Sequence, residues 1–201
     1  MTLVTKELEL GDLTLLSGRL TASSRGILES IRRQLIKKIE EANESTCYIT
    51  EQEAPTTAPS GRYVITVSEG NSNYPREFYS GGGLLTVDAV INVAVFIFGK
   101  SDRPHRKAER TIGSEDENGA NLFKFKKQII KALITATETN QDGNPVGWEP
   151  WEQVSDTEAR YLLRDQLQPL SSSGPRDFRI GMTQGTGQTH SFSCVYDMDL
   201  S

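Results

Sequence analysis

Leu84-Leu-Thr-Val-Asp-Ala-Val-Ile-Asn-Val-Ala-Val-Phe-Ile-Phe98 places an apolar residue at every second position: Leu85, Val87, Ala89, Ile91, Val93, Val95 and Ile97. A repeat of two puts them all on one side of a pleated chain, whereas a helix would scatter them around its axis. The segment therefore predicts a core strand whose apolar face is covered by helices. Its other face, Leu84, Thr86, Asp88, Val90, Asn92, Ala94, Phe96 and Phe98, is mixed and predicts partial cover. At ~3.3 Å per residue the strand would run to about 50 Å, well past the usual length, so part of it is expected to project as a ribbon.

Upstream, Tyr63, Ile65 and Val67 alternate in a second strand, Arg62 to Ser68, and the Gly/Ser/Asn-rich stretch Gly70 to Gly83 reads as a long hairpin loop between the two. Glu51 to Gly61, with Pro55 and Pro59, reads as a loop. Before it, Ile27, Leu28, Ile31, Leu35, Ile36 and Ile39 recur at helical spacing between Arg25 and Ala42, with Ser23 or Ser24 available as N-cap. Leu8, Leu10, Leu13, Leu15 and Leu16 around Gly11-Asp12 suggest an N-terminal arm or weak hairpin.

Downstream, a polar stretch leads to a helix over about Ala120 to Ala136, with Leu122, Phe125, Ile129, Ile130 and Leu133 on one stripe. Ser155-Asp-Thr-Glu158 matches a capping box and predicts a short helix in the Trp-bearing stretch that follows. The chain closes on a hairpin, Asp177 to Thr183, a turn through Gly185-Thr-Gly187, then Thr189 to Leu200. The expectation is a single α+β domain over residues 1–201. It has an antiparallel or mixed four-stranded sheet with two main helices on one face, an N-terminal arm (1–23), a core (24–136 and 177–201) and a short-helix insertion (137–176).

With 201 residues and a formal charge of −5, the chain can bury its own core, and its balance argues against a surface built wholly to clamp phosphates. No apolar run approaches a membrane span and no leader is evident, so a soluble protein made in the cytoplasm is expected. Cys47 and Cys194 lack metal or redox spacing and read as packing residues. His105 and His190 have no partner at a ligand spacing, and the clusters Gly81 to Gly83 and Gly185/Gly187 lack the Lys-Ser/Thr of a phosphate loop. No catalytic residue, metal ligand or cofactor follows from these patterns. Asp197 and Asp199 share one strand face and are the carboxylates a hydrolytic alternative would use, although a solvated face explains them more simply.

Two loops carry the residue types enriched at interfaces: Tyr74, Arg76, Phe78 and Tyr79 on one, Arg103, Arg106, Lys107 and Arg110 on the other. The early amphipathic helix, Tyr63-Val-Ile-Thr-Val67, the Leu85 to Ile97 strand, the Leu122 to Leu133 helix and Ser191-Phe-Ser-Cys-Val-Tyr196 follow one another in an order that resembles the tail terminator proteins of tailed bacteriophages. The resemblance covers roughly residues 24–136 and 177–200 and rests on pattern and order, so it assigns no functional residue. It implies a structural virion protein, not an enzyme, that forms a ring, usually of six copies, at the head-proximal end of the tail tube. The implied partners are further copies of the chain, the tail tube protein, the head connector or neck protein and an adjoining tail sheath. DNA would pass through the ring without sequence-specific binding and without any membrane contact. The N-terminal arm and the insertion exceed a minimal member, and either could instead mark a related neck or tail-completion protein.

Overall fold

The computed structural model describes residues 10–16, 21–39, 42, 46–51, 63–74, 79–80, 83–99, 121–139 and 142–200. A 3-10 turn at Leu10–Asp12 leads to β1 (Thr14–Leu15), α1 (Ser24–Lys38), β2 (Cys47–Ile49), β3 (Tyr63–Asn73), β4 (Tyr79–Ser80) and β5 (Leu84–Gly99). Then come α2 (Leu122–Ile130), a π turn (Lys131–Thr135), β6 (Thr137–Thr139), β7 (Pro145–Gly147), β8 (Trp151–Ser155) and β9 (Glu158–Tyr161). The last strands are β10 (Gln168–Ser172), β11 (Arg176–Ile180) and β12 (Thr183–Asp199). The protein is thus mixed α/β and mostly strand.

β5 sits at the centre of a seven-stranded sheet ordered β10-β12-β5-β3-β2, with β11 also on β12 and β4 also on β5. It does not project as a ribbon. β12 pairs antiparallel with it over sixteen consecutive positions, from Leu84 opposite Asp199 to Gly99 opposite Gln184, so the main-chain groups on that edge are satisfied along its whole length. β3 flanks the other side, with a bulge between Glu69 and Ser72.

Val87, Ala89, Ile91, Val93, Val95 and Ile97 form the main core with both helices, as the alternation demands. From α1 the core takes Ile27, Leu28, Ile31 and Leu35, and from α2 Leu122, Phe125 and Ile129. Each such side chain gains roughly 1.5–3 kcal/mol by leaving water, an upper figure given a partly collapsed unfolded chain. Ser23 caps α1 by accepting from Gly26 N at 3.1 Å, and Asn121 caps α2 by accepting from Lys124 N at 2.8 Å. The π turn after α2 leaves the Ala132 carbonyl inside the fold, where Gln34 Nε2 donates to it at 3.0 Å and ties the helices together.

Several expectations are corrected. The sheet has seven strands rather than four, because β2 and β4 are too short to carry a readable alternation and β10 is exposed at every position and shows none. The short helix expected from Ser155 to Glu158 is instead the turn between β8 and β9. Ser155 Oγ donates to Glu158 Oε2 at 3.1 Å, spending the capping-box side chains within a hairpin bend. Gly185 and Gly187 lie inside β12, and the actual turn is Gly181-Met182, with Gly181 at φ +58°. The arm and the insertion, two separate departures in the sequence, meet. β1 pairs in parallel with β9, and Leu10 and Leu13 close a second small core with Ala159, Trp151 and Tyr161. The insertion also enters the main core through Trp148, Leu162, Leu163 and Leu167.

Candidate functional site

Of the eight expected interface residues, Tyr74 is 54% exposed beyond the end of β3, and Tyr79 lies in β4 opposite Leu85. Arg76, Phe78, Arg103, Arg106, Lys107 and Arg110 lie outside the described residues, as does His105.

Among the described residues, His190, Cys47, Cys194 and Asp197 are candidate groups for chemistry. His190 is buried on the helix-facing side of β12. One ring nitrogen, Nδ1, meets Ser172 Oγ at 2.9 Å, while Nε2 is buried with no hydrogen-bond partner among the described residues. Burial, and secondarily the Lys126 charge, push its pKa down to about 4, which keeps the ring neutral. Cys47 and Cys194 are buried free thiols whose pKa burial pushes up to about 12, so neither is a ready thiolate. Asp197 is held by Thr86 Oγ1 at 2.7 Å and by Arg164 Nε at 2.9 Å, a tie between the segment after β9 and the sheet rather than a poised carboxylate. Among the described residues no cluster of three His, Cys, Asp or Glu could hold a metal, and no helix is long and apolar enough to cross a membrane.

A concave feature lies on the other face of the sheet. β10 and β11 both run antiparallel to β12 and form one interrupted strand along its edge, broken at Ser173-Gly174-Pro175. Ser173 bridges the gap: its N–H donates to Thr189 O at 2.9 Å, its Oγ accepts from Thr189 N at 3.0 Å, and its carbonyl accepts from Gln188 Nε2 at 2.8 Å. The break leaves an open groove of about 550 Å³, floored by Gly187, Thr189 and Ser191 and bounded by Phe96, Phe178, Ser171 and Arg176. Asp177, the one acidic residue of its lining, follows Arg176 along the strand and is turned to the opposite face, where Thr186 Oγ1 donates to it at 3.4 Å.

The aromatic end of the groove explains the two glycines. Phe178 meets Phe96 and Phe98 edge to face, with centroids 5.1 and 5.2 Å apart. A Cβ on Gly185 would fall 2.4 Å from Phe178 Cζ, and one on Gly187 would fall 2.7 Å from Phe96 Cδ1. The rings occupy the space that side chains would take. Arg176, Phe178, Ser171 and Thr189 are not among the residues expected at an interface from the sequence. The available signal was the glycine pair in an alternating segment, a mark of close approach as well as of a turn.

Large apolar side chains stand exposed at both ends of β12: Met182 at 93% beyond one end and Leu200 at 51% beyond the other. Tyr74, beyond the end of β3, lies level with Tyr196 of β12. Leu170, on β10, is 59% exposed. No protein-family model matches the chain, and no curated protein matches it.

Proposed function

We propose that the chain is a structural subunit of a tailed-phage neck. Six copies form a ring on the head-proximal end of the tail tube, stop its growth and present a surface to the head connector. The ring is assembled in the host cytoplasm, takes its place in the virion, and lets DNA pass without sequence-specific contact.

One observation carries this reading. The exposed Met182 and the exposed Leu200 lie beyond opposite ends of a 17-residue strand, which at ~3.3 Å per residue separates them by roughly 55 Å. A joining piece needs adhesive surfaces at two ends, and a ring needs unlike patches on one subunit so that each copy contacts the next head to tail. The burial of His190 and both thiols, together with the ion-paired Asp197, supports assembly over hydrolysis.

The test is native mass spectrometry of the purified protein, alone and after mixing with tail tubes, with complementation of a phage lacking the gene. A six-copy ring, free or seated on tube ends, is expected. A monomer in both settings, with tails of normal length and normal head joining in the absence of the protein, sinks the reading.

A further inference from the structure

We infer that the groove between β10 and β11 receives an extended acidic segment of a partner protein, with a carboxylate on Arg176 and an apolar side chain against Phe96 and Phe178. That the occupant belongs to a joined protein rests on the neck reading above. The recognition chemistry rests on the groove itself.

Among the residues that line the groove, the one charge on this face is positive. Arg176 stands opposite Gly187 and forms no ion pair with any described residue, while Asp177 is turned away. A guanidinium offers a planar fork of N–H donors that matches a carboxylate, and the nearby hydroxyls of Ser171 and Thr189 can each donate to an anion. The rings at the other end give an apolar wall. The small side chains of the floor leave room for a main chain to lie close to β12.

Two features favour a chain over a small molecule. The groove is open and lies along a sheet edge, where an extended segment can follow the strands, whereas small-molecule sites enclose most of their ligand. It is also flanked along that edge by exposed Leu170 and Met182, apolar contacts that only a ligand longer than the groove can reach.

The test uses the full-length protein and the peptide Leu-Asp-Phe-Glu-Val-amide carrying fluorescein on its N-terminal amine, with binding read by anisotropy. The neutral counterpart, with Asn and Gln for the two acids, and inorganic phosphate as competitor are the other arms. Binding below about 1 mM is expected. It should weaken about tenfold in Arg176→Gln and with the neutral peptide, and about threefold in Leu170→Ser. Circular dichroism should show both variants folded, since neither side chain is buried. The inference is overturned by the absence of binding, by equal affinity for the neutral peptide or for Arg176→Gln, or by displacement of the peptide by phosphate at matching concentration, which would indicate a bare anion site. None of these outcomes depends on ring formation, so failure here and failure of the neck reading remain separable.

Discussion

On the inner face of β5, Val87, Ala89, Ile91, Val93, Val95 and Ile97 meet two helices. On the outer face the same strand and its neighbours present Val64, Thr66, Ser68, Asn92, Ala94 and Phe96. Both sets are buried, yet the chemistry differs. The inner face is held by volume and apolar contact, which tolerate exchange of one aliphatic group for another of similar size. The outer face is held by fitted pairs: Phe rings over glycines, Ser191 on Asn92, Thr86 on Asp197. One strand thus encodes the fold on one side, while its other side helps build the wall of a groove.

The sharpest way to break this contrast is Ile91→Asp. A carboxylate there is forced among apolar groups with no counter-charge and must stay desolvated or take up a proton. The expected result is loss of soluble folded protein, a cost of more than about 5 kcal/mol, read as soluble yield and far-UV circular dichroism. A stable, folded variant would mean that the helices do not cover this face of β5.

Next in size is Gly187→Ala, which drives a methyl into the Phe96 ring. A loss of about 2–3 kcal/mol in denaturant unfolding is expected, and Gly187→Ala with Phe96→Leu should lose less than the sum of the single changes. Strict additivity would show that ring and glycine are not coupled.

The third effect is smaller and depends on pH. The unfolded chain protonates His190 near pH 6.5, whereas the folded chain holds its pKa at about 4, so the unfolded state binds more protons between these values. Stability attributable to this residue is intact above pH 6.5 and falls as pH drops toward 4. Relative to His190→Gln, the native protein should lose about 2 kcal/mol more between pH 7 and 4.5, measured by urea unfolding at each pH. Parallel pH profiles would place His190 in a wetter site than described.

The contrast between the faces also explains what could be read in advance. The β5 strand, both main helices and the terminal strand announce themselves because one period repeats through each, and Ile27, Ile31 and Leu35 need nothing else to be placed. The groove does not, because its parts come from four strands with no shared period, and the glycines that permit the aromatic cluster look like turn residues on their own. Ser155 to Glu158 failed for a related reason: one hydrogen-bonding side chain serves a helix start or a hairpin bend, and only the partner strand decides. β1 was unreadable because two residues carry no period, and the register with β9 exists only once the chain has closed.

The smallest expected effect tests whether the outer face is held by fitted polar pairs at all. Ser191 and Asn92 stand directly opposite on β12 and β5, and Ser191 Oγ donates to Asn92 Oδ1 at 2.7 Å. On its other side the Asn92 amide lies against the β3 bulge, where a Cβ on Gly70 would come within 2.8 Å of Nδ2. The hydroxyl therefore helps to orient an amide that sits over three strands. Ser191→Ala removes the donor without adding bulk, so the loss is that of one hydrogen bond, about 1 kcal/mol, or a fall in Tm of a few degrees. A Gly70→Ala change should interact with it, since both act on the same amide, and a double-mutant cycle would read the coupling. If Ser191→Ala proves neutral and the cycle additive, apolar contact dominates both faces and the contrast drawn between them fails. If Ser191→Ala stabilises the protein while weakening the peptide bound in the groove, the hydroxyl is kept for binding at the expense of stability.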